Sequence, residues 1–243
     1  MTATIRLYKI DKDKQLREGF GMSGRLPKYR LEKLSKLKNE KAKWQSYFAG
    51  RLLVYILAEE YAMSDEEVVR LLDSEKHCLE KRTIAISEDT KDNIVHYNIS
   101  HSGDIVSVAM SQAPVGIDIE HKDDRDFKVT SRMFSEGDKA YINADQKKFR
   151  EVWTSKESFL KCTGEGIVVP LNSFTLDFEK NETVDFGGDY IFVRREIKPL
   201  GYDLRGKNFF VYTKYNEEEN FCFSICSENK NLLLDIKWVE VLS

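Results

Sequence analysis

Residues 115–120 read VGIDIE, and the reading of this stretch decides the fold. In a strand, alternate side chains point to opposite faces. Val115, Ile117 and Ile119 then form an apolar face, and Gly116, Asp118 and Glu120 form the other. Two carboxylates side by side repel and raise each other's pKa unless a cation joins them. Oxygen-only ligation suits Mg²⁺, which takes one or two carboxylates together with substrate phosphates. Gly116 leaves room for something bulky. A solvated edge strand accounts for the same stretch taken alone.

Outward from this point the pattern alternates between strand and helix. Upstream lie two strand-like runs, IVHYNIS (94–100) and IVSVAMS (105–111), with Gly103-Asp104 and Ala113-Pro114 as turn signals. Spacing this tight predicts antiparallel hairpins through 94–120. Before them, residues 4–10 suit a first strand. Residues 29–62 carry Leu34, Leu37, Trp44, Phe48, Leu52, Tyr55 and Ile56 at helical spacing, as one long helix or two. Ser64 with Glu67 is a capping-box pattern opening a helix to about Leu72. Residues 75–93 are polar and carry no clear period. Downstream, Ser135 with Asp138 resembles a helix start, and Phe149 to Cys162 is strongly amphipathic, ending near Gly164. FTLDF, YIFVRRE, FFVYTKY, FCFSICS and KWVEVL then read as strands. Helices followed by strands, twice over, argue an α+β fold with two halves, 1–114 and 115–243, meeting near 115–125.

The bulk numbers narrow the function classes. The 243 residues suffice for one large domain or two smaller ones. A net charge of −3 gives no global signal for nucleic acid, although a local anion site remains open. The opening MTATIRLYKI carries no signal-peptide pattern, and no apolar run approaches the roughly 20 residues that span a bilayer. A cytoplasmic location follows as the expectation. Cys78, Cys162, Cys222 and Cys226 show no metal-site spacing and read as buried small apolar residues.

Two further stretches carry chemistry. In WTSKESFLKCTGEG (153–166), a helix puts Trp153, Glu157 and Leu160 or Lys161 along one side. Glu157 borders an apolar stripe and calls for a partner, whether a ligand or an i,i+4 ion pair with Lys161. In YNISHSG (97–103), His101 sits between Ser100 and Ser102 where a strand meets a turn. Hydroxyls, backbone N–H groups and an imidazole there make a phosphate nest or an ordinary exposed turn.

Taken together, NISHSG, GIDIE and WTSKESFLK, in that order and spacing over about residues 26–175, resemble the 4′-phosphopantetheinyl transferases of the surfactin-synthetase-activating type. The resemblance implies a monomeric pseudo-dimer of two similar α+β halves with the active site in the cleft between them. It implies Mg²⁺-dependent transfer of the phosphopantetheine arm of coenzyme A to a serine of an apo acyl or peptidyl carrier protein, with release of 3′,5′-ADP. By the same resemblance Asp118, Glu120 and Glu157 would bind the metal. Glu157 or Lys161 would deprotonate the serine. Ser100 and His101 would contact the phosphates, His101 the 3′-phosphate, and Lys156 would lie near the substrate. Asp138 matches an acid near the metal or its water. Two features depart from the family pattern. The Gly-Lys-Pro turn has SEKHCL (74–79) as its nearest match, leaving Lys76 without its Gly and Pro. The basic residues for the 3′-phosphate come from LPKYRLEK (26–33), with Arg30 and Lys33 favoured over Lys28. The competing readings are a Mg²⁺-dependent phosphohydrolase acting on coenzyme A or a nucleotide, and a non-catalytic coenzyme A binder. Neither nucleic acid nor membrane is expected as a partner.

Overall fold

A computed structural model describes residues 1–11, 26–86, 93–121, 133–240 and 242. Parts of two expected features, the polar run 75–93 and the junction 115–125, lie outside the described residues. Strand β1 is Thr2–Lys9. The helical region 29–62 is two helices, α1 (Lys28–Lys36) and α2 (Glu40–Tyr61). Leu37 turns extended, and the Asn39 side chain accepts from the Ala42 N–H, so the chain caps a second helix instead of extending the first. Helix α3, Asp65–Leu72, opens on the complete Ser64–Glu67 capping box.

Short strands β2 (His77–Cys78) and β3 (Thr83–Ala85) follow, then β4 (Ile94–Ser102), β5 (Ile105–Ser111) and β6 (Val115–His121). β4 and β5 form the expected hairpin, turned by Gly103 at φ 62°. β6 departs from expectation: it does not continue the hairpin but crosses into a second sheet and pairs antiparallel with β11 (Phe221–Ser227). Helix α4 (Glu136–Ile142) starts on a second complete capping box, Ser135 with Asp138, and α5 spans Gln146–Thr163. Gly164, left-handed at φ 76°, ends α5. The remaining strands are β7 (Phe174–Leu176), β8 (Glu182–Asp185), β9 (Ile191–Pro199), β10 (Phe210–Asn216) and β12 (Leu233–Trp238).

The first sheet runs β12-β1-β5-β4-β3-β2 and the second β6-β11-β10-β9-β7, with β8 on β9. β12 pairs parallel with β1, Ile236 opposite Ile5. The last strand therefore starts four residues before the expected KWVEVL and belongs to the first sheet.

Three buried clusters define the layering. One lies between α2–α3 and the first sheet (Leu52, Ile56, Val68, Val106, Val108). The second lies between the two sheets (Ile5, Leu7, Ile105, Val115, Ile117, Ile119, Phe223). The third lies under α5 (Phe134, Val152, Phe159, Leu171, Phe174, Val211). The stack is thus helix, sheet, sheet, helix, and the apolar face of VGIDIE supplies part of its middle.

Candidate active site

With Val115, Ile117 and Ile119 committed to the inter-sheet core, the polar face of β6 turns toward α5. Gly116 has no room beside it. A Cβ built there would lie 1.9 Å from the Ser158 carbonyl oxygen and 2.6 Å from the Cys162 nitrogen. The bulky neighbour of Gly116 is the backbone of α5, so the expectation of space for a ligand is corrected. Small polar side chains of α5 also bond it to β10 and β11. Thr154 bonds Ser224 at 2.8 Å, Ser155 bonds Thr213 at 2.9 Å, and Thr213 bonds Ser224 at 2.9 Å.

This close approach aligns α5 over Asp118 and Glu120. Asp118, 5% exposed, takes its charge partner from α5: Lys161 Nζ donates to Oδ1 at 2.6 Å. Across the seam, β4 supplies two serines at alternate positions. Ser100 Oγ donates to Asp118 Oδ1 at 2.9 Å and accepts from the Ile119 N–H and from Lys161. Ser102 Oγ donates to Glu120 Oε2 at 2.9 Å and accepts from the His121 N–H. Trp153 Nε1 donates to the other Glu120 oxygen at 3.2 Å. Glu157 is buried on the same helix, one turn before Lys161. Side-chain hydrogen bonds thus stitch β4 to β6 across the two sheets. The Ser100 hydroxyl is engaged in that seam.

The opposite face of β4 opens on a cavity of ≈ 330 Å³ lined by Tyr29, Arg30, Lys33, Arg82, Tyr97 and His101. Arg30, Lys33 and His101 meet here. Desolvation first, then the nearby Lys161, Lys33 and Arg30 cations, lower the His101 pKa to about 4. Desolvation, then Arg30 and Arg82, lower the Lys33 pKa, and desolvation, then Arg30 against an opposing Tyr97, lowers that of Arg82. Arg30 thus disfavours the charged form of all three groups. Arg82 was not read from the sequence. It sits at the β2–β3 turn with φ 50° and donates to Asn98 Oδ1 at 2.8 Å, whereas Lys76 does not line the cavity. The signal that could have found it is the basic Lys81-Arg82 pair between two short strands.

Lys156 and Asp138 also differ from expectation. Both are 0% exposed and pair at 2.8 Å. Lys156 Nζ also donates to the Leu171 and Phe174 carbonyls, and Asp138 accepts from Ser135 and Thr175. Desolvation lowers the Lys156 pKa while Asp138 opposes it. With its donors used and no exposed surface, Lys156 ties α4, α5 and the 166–176 turn together. Neither side chain has exposed surface with which to meet a substrate or a metal in this structure.

The carboxylates have the oxygen chemistry of a Mg²⁺ site, and Asp118 Oδ2 is buried without a hydrogen-bond partner. Among the described residues, however, no three acidic, His or Cys side chains are grouped closely enough to hold an ion, with Lys161 on Asp118.

Comparison with known proteins bears on this arrangement. Residues 114–208 match the model of the 4′-phosphopantetheinyl transferase superfamily. The segment carries Asp118, Glu120, Lys156, Glu157 and Lys161, so the resemblance read from the motifs is shown for it. The chain is 40% identical over 95 residues to the 4′-phosphopantetheinyl transferase Gsp of Aneurinibacillus migulanus, covering 37% of this chain and 40% of that protein. It is 36% identical over 94 residues to Sfp of Bacillus subtilis strain 168, covering 37% of this chain and 42% of Sfp. It is 33% identical over 129 residues to Ffp of Bacillus subtilis, covering 48% of this chain and 58% of Ffp. The chain thus spans between two fifths and three fifths of these curated relatives. No described helix is long and apolar enough to cross a membrane.

Proposed function

We propose that this protein transfers the 4′-phosphopantetheine arm of coenzyme A to a serine hydroxyl of an apo acyl or peptidyl carrier protein, acting as a cytoplasmic monomer. The observation that carries this reading is the pairing of two sites across β4. The seam of Asp118, Glu120 and Lys161, with Glu157 one turn before Lys161 on α5, lies on one side, and the cavity of Arg30, Lys33, Arg82 and His101 on the other. An anion such as the 3′-phosphate of coenzyme A matches the cavity in charge. The pyrophosphate would then run toward the seam.

In the proposed step, the serine oxygen attacks the phosphorus that bears the pantetheine arm. The bond from that phosphorus to the bridging oxygen breaks, and 3′,5′-ADP leaves with the electron pair. The serine proton passes to Glu157, the carboxylate of α5 nearest the seam, since a general base must lie within hydrogen-bond reach. Lys161, an ammonium donating to Asp118, is placed to offset charge growing on phosphate oxygens. Asp118, with Glu120 and Glu157, would hold Mg²⁺ once Lys161 moves, and the ion would neutralise the pyrophosphate.

The reading of two similar halves has its own support. Each sheet packs one long helix, α2 or α5, preceded by a short one, and the seam joins the sheets within one chain. The test is to mix protein, coenzyme A, Mg²⁺ and an apo carrier and to follow the carrier by mass spectrometry. A gain of the phosphopantetheine mass on its serine is expected. Cleavage of coenzyme A without a carrier would mark a phosphohydrolase, and neither event would mark a binder; both refute the proposal.

A further inference from the structure

Asp118 already has a cation. The Lys161 ammonium lies 2.6 Å from Asp118 Oδ1, with 22% and 7% of the two side chains exposed. The same ammonium donates to Ser100 Oγ at 3.0 Å, and Ser100 donates to the same carboxylate oxygen. The Asn98 side chain donates to the Lys161 carbonyl at 3.2 Å, fixing the end of α5 from which the stem projects. A carboxylate this buried is costly unless it is paired. Lys161 supplies that pairing, and the acids are not drawn together as a cage around it.

We propose that Lys161 is the resident cation of Asp118, and that a divalent ion enters only when the ammonium is displaced from the carboxylate. The inference rests on the reading of Asp118 as a metal ligand. It deepens that reading by giving Lys161 a role in the order of binding. The two cations share one carboxylate: Lys161 holds Asp118 Oδ1, Oδ2 is buried without a hydrogen-bond partner, and an ion on Oδ2 beside the ammonium would meet like-charge repulsion. The flexible four-carbon lysine stem lets the head swing away while the helix stays put. A pyrophosphate entering the seam offers the ammonium new oxygens. Coenzyme A therefore tightens metal binding, and metal tightens coenzyme A by the same factor, because coupling between two sites is reciprocal. The protein alone would be a poor metal binder, and the ion would arrive with the substrate.

Direct binding of Mn²⁺, counted by its electron paramagnetic resonance signal, tests this without any turnover. Wild type, Lys161→Ala, Lys161→Gln and Lys161→Arg are compared with and without coenzyme A, with circular dichroism as the check on folding. Without coenzyme A, the Ala and Gln variants should bind Mn²⁺ about tenfold or more tightly than wild type, since removing one member of a buried pair leaves an uncompensated charge. The Arg variant keeps the cation and should bind as weakly as wild type. Coenzyme A should tighten Mn²⁺ binding to wild type more than to either neutral variant. If the Ala variant does not fold, the Gln variant, which keeps a hydrogen-bond donor for Asp118, decides. Ala and Gln variants that bind no more tightly than wild type overturn the proposal. Asp118→Asn in wild type separates the underlying reading: if coenzyme A-dependent Mn²⁺ binding survives it unchanged, Asp118 is not a ligand and both readings fall.

Discussion

Gly116→Ala is the smallest change that probes how the site is built. A methyl at this position meets the Ser158 carbonyl at 1.9 Å, the Cys162 nitrogen at 2.6 Å and Cys162 Cβ at 3.0 Å. The first two are backbone atoms in the middle and last turn of α5, so no flexible side chain can yield. Real contacts of this kind are essentially never below 3.0 Å, so α5 and β6 must part by about 1 Å (3.0 less 1.9). Overpacking of a close-packed interior typically costs about 1–3 kcal/mol, and rigid obstacles on both sides place this case near the top of that range. The Thr154–Ser224 and Ser155–Thr213 hydroxyl bonds under α5 would lengthen with it. Function should suffer more than stability suggests. Glu157 and Lys161 ride on α5 while Asp118 and Glu120 ride on β6, and a misplacement of about 1 Å can cost roughly 10²-fold in rate. Urea unfolding measures the first effect as a lower midpoint at unchanged slope. Carrier-protein mass gain under saturating coenzyme A measures the second. A Gly116→Ala protein within about 0.5 kcal/mol of wild type and with undiminished turnover would refute the close contact, because that range is what surface substitutions show.

Asp118→Asn should lower transfer by at least about 10²-fold with the fold retained, as expected for a group that stabilises charge in the transition state, and thermal melts alongside the carrier assay check both. His101→Ala should weaken coenzyme A binding, seen by calorimetry, more than it slows turnover, and dephospho-coenzyme A should barely register the change. The lowered His101 pKa, about 4 in the free protein, also sets a pH dependence. A bound anion raises that pKa, so binding takes up a proton, and wild-type affinity relative to His101→Asn should rise as pH falls from about 7 toward 5. The unfolded chain, with its histidine near 6.5, takes up that proton first, so the His101 contribution to stability is fully present above pH 6.5 and declines as pH falls from there toward 4. A flat wild-type/His101→Asn affinity ratio would remove His101 from the anion site. Lys156→Met should cost about 3–5 kcal/mol in urea unfolding, since it strands a fully buried Asp138, and adding Asp138→Asn should recover part of it.

Much of this architecture was legible because it is locally determined. The Ser64 and Ser135 capping boxes, the Gly164 stop and the Gly103 turn each follow from two to four neighbouring residues, and all four stand in the structure. The misread features depend on partners far along the chain. β6 looks like the third strand of a meander because only three residues separate it from β5, yet its partner is Phe221–Ser227, about a hundred residues later. β12 joins β1 from the other end of the chain. The sequence left one helix or two open over 29–62 for a different reason: apolar spacing continues through Leu34 and Leu37, and the Asn39 cap decides for two.

The site followed the same division, with a consequence for how such motifs are read. Asp118, Glu120 and Lys161 were identified by type and do meet at one seam, with Glu157 one turn before Lys161 on α5, but residue type could not distinguish a ligand from the frame that holds it. Lys156 and Lys161 sit five residues apart on one helix, both are lysines, and both pair with an aspartate. About 100° of helical rotation per residue places them on different faces. That rotation turns Lys156 into the sealed side of α5, beneath Phe134 and Phe174, where its charge can only be structural. It turns Lys161 to the seam, where a fifth of its surface stays open and its charge can be exchanged. Exposure of the charged head, not the identity of the residue, separates the cation that holds the fold from the cation that a substrate can move.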